Sequence, residues 1–135
     1  MGKNFDKIRI IIAGSRSFDD YDKLCKDVDK LISMQIFFGS LGAYESKDIE
    51  IVSGGARGAD KLGERYAKEH NLPLKIFSAD WNKYGKRAGY IRNTEMAEYA
   101  NCLIAFWDGQ SKGTAHMIDL APKHDLASVI IKVGD

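Results

Sequence analysis

Two cysteines and two prolines stand in 135 residues, and the charges nearly cancel, with 20 Lys and Arg against 19 Asp and Glu. Each shortage excludes something. Cys25 and Cys102 are too few and too far apart for a disulfide framework and belong to no CxxC pair, so both read as small buried apolar residues. A net charge of +1 excludes a dedicated nucleic-acid coat or a polybasic membrane binder, although it allows local basic patches. Long apolar runs are missing too: Leu103–Trp107 is among the longest, far below the roughly 20 residues that span a bilayer. The N-terminal MGKNFDKIRIII lacks a signal-peptide pattern, so no membrane and a cytoplasmic location are expected. His70, His116 and His124 form no i,i+4 pair and have no cysteine near them in sequence, so no metal and no cofactor are expected.

What is present describes a globular α/β chain. With 44% hydrophobic and 29% charged residues and 13 glycines, one domain over residues 1–135 is expected. A chain of this size buries roughly two-thirds of its unfolded surface, enough for a core without staples. Ile8–Ala13 is a β-branched run ending at Gly14, which marks a strand covered on both faces and therefore central. Tyr21, Leu24, Cys25, Val28, Leu31 and Ile32 recur at helical spacing, predicting a helix from about Asp19 to Met34 with Asp19 and Asp20 at its start. Strand Ile49–Ser53 precedes a helix whose stripe is Ala59, Leu62, Gly63, Tyr66 and Ala67, ending near His70. Strand Leu74–Phe77, a helix from about Lys86 to Ala100, strand Cys102–Trp107, a helix from Gly113 or Thr114, and a last strand over Val129–Val133 follow. This alternation predicts βαβ units and a Rossmann-like three-layer α/β domain whose five-stranded parallel sheet has the order 3-2-1-4-5. Gln35–Lys47 falls outside the rhythm and reads as a cap on the core or a self-association patch, the latter giving a homodimer.

In open α/β sheets ligands bind beyond the carboxyl ends of the strands, where the strand order switches. Three loops at that end are alike in composition, namely Gly14-Ser15-Arg16-Ser17, Ser53-Gly54-Gly55-Ala56-Arg57-Gly58-Ala59-Asp60, and Asp108-Gly109-Gln110-Ser111-Lys112-Gly113-Thr114. Each joins glycine, hydroxyl groups and a cation ahead of a helix, where free N–H groups and the dipole favour an anion such as phosphate. Any one of them alone is as well explained by turns and caps, but the predicted order brings all three to one crevice. Neither GxxxxGK(S/T) nor a GxGxxG fingerprint is present, which excludes kinase-like and dinucleotide-dehydrogenase readings. Between Trp81 and Asn93 stand four cations, three aromatics and no acid, which suits a phosphorylated ligand with a stackable base, or single-stranded nucleic acid. Lys83, Lys86 and Arg87 also fit a solvated helix start, whereas Arg92 and Asn93 lie deeper in the helix.

GSRSF, VSGGARGAD, YGKRAGYIRNTEM and AFWDGQSKGTAHMI, in this order over about Ile8 to Val133, resemble the YspA-related branch of the SLOG superfamily, whose fold is shared by the DNA-processing protein DprA and the Lonely Guy phosphoribohydrolases. The resemblance implies a Rossmann-like domain that binds nucleotides or nucleotide-derived molecules. Lonely Guy enzymes cleave the N-glycosidic bond of nucleoside 5′-monophosphates with an arginine, matched here by Arg92, and a GTxxE glutamate. Here Gly113-Thr114 match the GT, but Met117 occupies the glutamate position and His116 precedes it. A thioether cannot stabilise oxocarbenium-like charge, so a catalytic carboxylate would have to be Asp60 or Asp108, leaving Arg92, Asp60 and Asp108 as the catalytic candidates.

The leading expectation is a ligand-sensing or binding domain. Gly14, Ser15 and Arg16 with Ser111, Lys112, Gly113 and Thr114 would hold phosphate, with Asp108 in the same loop. Gly54, Gly55, Arg57, Gly58 and Asp60 would hold a second phosphate or ribose, and Arg92 and Asn93 would clamp from the side. The alternatives are a nucleoside 5′-monophosphate phosphoribohydrolase-like hydrolase and a DprA-like single-strand DNA binder, the second disfavoured by the near-zero net charge.

Overall fold

The computed structural model describes residues 7–33 and 49–134. Its strands are β1 (Ile8–Gly14), β2 (Ile49–Ser53), β3 (Leu74–Ile76), β4 (Cys102–Trp107) and β5 (Ala127–Lys132). Its helices are α1 (Tyr21–Ser33), α2 (Ala59–Glu69), α3 (Trp81–Tyr84), α4 (Ala88–Tyr99) and α5 (Lys112–Lys123). All strand pairs are parallel, in the expected order β3-β2-β1-β4-β5. Ile10 lies beside Ile51 on one side and Cys102 on the other, so β1 is central and the order switches between β1 and β4.

The isoleucines of β1 are divided between two cores. Ile8, Ile10 and Ile12 point toward α1 and α2 and pack with Leu24, Val28, Leu31, Tyr66 and Ala67. Ile11 and Ala13 point the other way, toward Met96 and Ala97 of α4 and Met117, Leu120 and Ala121 of α5. A strand buried on both faces needs apolar residues at successive positions, which is why this run shows no polar alternation. Each fully buried isoleucine contributes about 1.5–3 kcal/mol from apolar burial.

Capping explains most of the differences from the expected boundaries. Asp20 Oδ1 accepts from Lys23 N at 3.1 Å, so α1 begins at Tyr21. The helix expected from Lys86 to Ala100 is present as α4, and a separate short helix that was not expected precedes it: Asp80 Oδ1 accepts from Lys83 N at 3.1 Å and starts α3 at Trp81. Gly85, at φ 59°, ends that turn, and a 3-10 turn over Gly85–Arg87 leads into α4 at Ala88. Smaller shifts extend β1 to Gly14, stop β3 at Ile76, start α5 at Lys112 and place β5 at Ala127–Lys132.

Cys102 is buried as expected, while Cys25 is partly exposed at the edge of the core. The expectations for Gln35–Lys47 fall outside the described residues. Among the described residues no helix is long and apolar enough to cross a membrane.

Candidate functional site

The loops after β1, β2 and β4 meet at the switch point because backbone approaches backbone there. Gly58 precedes α2 at φ 76°, and a Cβ at this position would collide with the carbonyl oxygens of Ser15 and Arg16. Only glycine satisfies both the dihedral and the contact. Ser15 completes the junction. Its N–H donates to Phe106 O at 2.9 Å, and its carbonyl accepts from Phe18 N at 3.2 Å and Ala59 N at 3.3 Å. Its Oγ accepts from Asp108 N at 3.0 Å and lies 3.3 Å from Ser111 Oγ. This buried serine therefore joins β1, α2 and the loop after β4.

Between these loops and the α4–α5 face opens a cavity of about 450 Å³, within the range that accepts small ligands. Gly14, Arg16, Asp60, Arg92, Asn93, Ser111, Lys112, Gly113 and Thr114 line it, over an apolar floor of Ala13, Met96 and Met117. A second cavity of about 330 Å³ adjoins it, sharing Arg16, Ala56 and Arg92 and adding Gly54, Gly55, Arg57, Ser78, Ala79 and Trp81. Of the residues expected in the site, Ser15, Gly58 and Asp108 line neither cavity. Asp108 Oδ1 accepts from Gln110 N and Ser111 N, each at 2.8 Å, and these bonds hold its carboxyl down at about 2. Ser15 and Asp108 instead border a separate depression with Phe18, Lys23 and Lys132.

Asp60 is the acid of the first cavity. It is 6% exposed, and burial raises its carboxyl to about 6, against the pull of the Ala56 N–H and of Arg92. Its Oδ2 accepts from Ala56 N at 3.2 Å. Gly54 lets Asp60 and Arg92 reach the same stretch of backbone: a Cβ there would stand 2.8 Å from Asp60 Oδ2 and 3.0 Å from Arg92 Nη1. Behind them, Ser53 Oγ donates to the buried Glu64 Oε2 at 2.6 Å and accepts from Gly55 N at 3.0 Å, fixing the start of the loop.

Arg92 reaches across from α4 and donates through Nη1 to Gly54 O. Burial lowers its basicity, Asp60 opposes that, and the neighbouring Arg16 guanidinium lowers it further. Two cations thus converge where the cavities meet, and Arg16, Arg57, Arg92 and Lys112 form no ion pair among the described residues. Asn93 is fully used. Its Oδ1 accepts from Arg92 Nε at 3.0 Å, while its Nδ2 donates to Gly113 O at 3.1 Å and lies 3.2 Å from His116 Nδ1. It therefore positions Arg92 against the start of α5, a role that its place in the helix does not announce. Burial keeps the His116 imidazole below its ordinary basicity, and Tyr90 packs edge-on at 4.6 Å.

The start of α5 supplies the last element. Ser111 gives it no side-chain cap, so the first N–H groups of the helix lie open beside Gly113 and the buried Thr114. Sequence reasoning placed Ser17 and Ala56 in the site loops without a role of their own, and missed the walls at Ser78 and Ala79 and the apolar nature of the floor. Ala13 follows only from its place beside Gly14 near the end of the central strand, and Met117, one turn into α5, was singled out only as the residue at the glutamate position of the resemblance. Trp81 had a weak signal as an aromatic beside cations.

Known proteins share this architecture. The model of the YspA, cpYpsA-related SLOG family matches residues 8–84. The Gene 61 protein of Mycobacterium phage D29 is 31% identical over 137 residues, covering 94% of this chain and 97% of that protein. Among solved structures, DNA processing protein A (DprA) from Streptococcus pneumoniae is similar with a TM-score of 0.67 at 16% identity, over 95% of this chain and 51% of that one. The chain thus spans about half the length of DprA, and the likeness is one of fold. With the family matched over more than half of its length and a relative matched along nearly all of it, this chain belongs to the YspA, cpYpsA-related SLOG family.

Proposed function

We propose that the crevice at the carboxyl ends of β1, β2 and β4 binds the phosphate of a nucleotide or nucleotide derivative, as a ligand-binding or sensing domain. One observation carries this reading: Arg16 and Arg92 converge on a cavity whose opposite wall is the uncapped start of α5, with no ion-pair partner for either among the described residues. Both features are stabilised by an anion, and Asp60 beside them offers an acceptor for sugar hydroxyls. Family membership agrees with a nucleotide-related ligand. The test is thermal unfolding against AMP, other nucleoside monophosphates and inorganic phosphate at fixed salt. Ligand at a hundred times its dissociation constant adds about 2.7 kcal/mol, a shift of roughly ten degrees for a domain of this size. Arg92→Ala and Arg16→Ala should remove the shift; wild-type affinity in both would sink the assignment.

Asp60 favours a second reading, N-glycosidic hydrolysis of a nucleotide. The GTxxE position is Met117, buried in the cavity floor, so Asp60 is the carboxylate that this cavity contains. Water would add to the anomeric carbon while the C–N bonding pair leaves with the base, which takes up a proton, and Asp60 would stabilise the positive charge on the ribose. Free base released by the wild type but not by Asp60→Asn is the expected sign; no release from any nucleotide that binds removes this reading.

A further inference from the structure

His116 lines neither cavity, but it touches the residue that positions Arg92. Asn93 is 5% exposed, and its amide can face only one way. Oδ1 must meet Arg92 Nε, which only donates, and Nδ2 must meet Gly113 O, which only accepts, at 3.0 and 3.1 Å. The other Nδ2 proton is left for His116 Nδ1, 3.2 Å away. That nitrogen has to accept, so the imidazole is neutral and carries its proton on Nε2. A protonated ring would set donor against donor, and turning the Asn93 amide to meet it would face Nδ2 to Arg92 Nε and Oδ1 to Gly113 O. No arrangement satisfies all of these partners once His116 is charged. The ring is partly exposed, so protons reach it from solvent. The charges that face it are Asp119 and Lys123 on its own helix, while α4 presents Tyr90 edge-on and, beyond Asn93, Arg92. Burial opposes the imidazolium most, Asp119 favours it and Lys123 opposes it. Acidification below the ordinary imidazole range therefore charges the ring at the expense of the Asn93 bonds.

We propose that His116 is a positioning residue: neutral, it holds Asn93, and through it Arg92 and the start of α5, in the arrangement that grips an anion, and on protonation it releases them, so that the crevice loses its anion in acid. This rests on the phosphate-binding reading above and adds its regulation. An imidazolium that attracted the anion directly would give the opposite sign, with tighter binding in acid, but His116 stands outside both cavities with Asn93 between it and Arg92.

The test is titration calorimetry with AMP and with inorganic phosphate at fixed salt, from about pH 8 down to about pH 4, on wild type, His116→Asn, His116→Phe and Arg92→Ala. Asparagine offers Oδ1 where histidine offers Nδ1 and cannot become charged; phenylalanine keeps a ring against Tyr90 but has no acceptor. Asp60 and the phosphate of the probe titrate in wild type and His116→Asn alike, so the ratio of these two affinities isolates His116. Because a buried donor left without its acceptor typically costs about tenfold or more, wild type should match His116→Asn near pH 8 and bind about tenfold more weakly near pH 4. His116→Phe should be about tenfold weaker throughout. Nitrogen-15 NMR of the ligand-free protein gives a second readout: the Arg92 Nε–H resonance should move as His116 titrates in wild type and stay in place in His116→Asn. Equal affinities of wild type and His116→Asn at every pH, with Arg92→Ala still losing AMP, would overturn this inference and leave the proposed function standing. Wild type that binds more tightly than His116→Asn in acid would mean that the imidazolium acts on the anion by charge, and would overturn it as well. An Arg92 resonance that follows His116 in a protein that binds neither probe would remove the proposed function, and this regulation with it.

Discussion

Asp60 lines the cavity proposed to hold an anion, so its protonation would couple ligand, pH and stability. Burial raises its carboxyl from the ordinary 3.8 to about 6. Between those values the folded chain holds a proton that the unfolded chain has released, so stability falls as pH rises through that window. Holding the ionised carboxylate in the folded chain therefore costs on the order of 3 kcal/mol, an upper figure for a single buried group. Asp60→Asn keeps an acceptor for the Ala56 N–H and removes the charge. The variant should be more stable than wild type by on the order of 1–3 kcal/mol at pH 7, with denaturant midpoints that stay level from about pH 4 to 6 where those of wild type decline. A wild-type midpoint that rises over this range would contradict the burial argument. Asp108 has the opposite sign: its carboxyl is held at about 2 by backbone donors, so its contribution is present above the ordinary carboxylate range and is lost as pH falls from about 4 toward 2.

At the scale of elements, close approach is the recurring device. Gly63 faces β1 from α2, and a Cβ there would stand 2.8 Å from Ile12 Cβ and 2.9 Å from its Cγ2. Alanine gains up to about 1 kcal/mol in helix propensity, while overpacking against a fully buried strand costs about 1–3 kcal/mol. Gly63→Ala should therefore destabilise, by about 1 kcal/mol, with a lower urea midpoint and no change in ligand contacts. Strand order and the layers around it were legible because β-branched runs and helical stripes alternate from Ile8 onward, with Gln35–Lys47 the one stretch outside that rhythm. The short helix α3 ahead of α4 was not, since it depends on the single cap at Asp80 and the left-handed backbone of Gly85. The candidate site was legible as three loops and not as individual roles. Ser15, Asn93 and Asp108 have the chemistry of ligand contacts but spend it on neighbouring loops, and sequence spacing does not say where a hydrogen bond ends.

Across the whole molecule, the crevice touches the central strand, both helices of one layer and the first turn of α2 in the other. A ligand held there engages elements that unfold together, so its effect should be global. With AMP at a hundred times its dissociation constant, the slowest-exchanging amides of β1 and β4 are expected to slow by about a hundredfold, matching the linkage factor. Protection limited to the loops after β1, β2 and β4 would indicate that only a local opening is suppressed. The bonding of Ser15 limits how such a crevice can change over time. This serine fixes three segments by backbone and hydroxyl bonds at once, so a residue inserted between Gly14 and Phe18, or between Trp107 and Ser111, would disturb all three together. Arg16, Arg57 and Lys112, which face the cavities, make no side-chain hydrogen bond of this kind among the described residues. Chains with this rim are free to exchange one ligand for another by point substitution, while the length of the loops stays fixed.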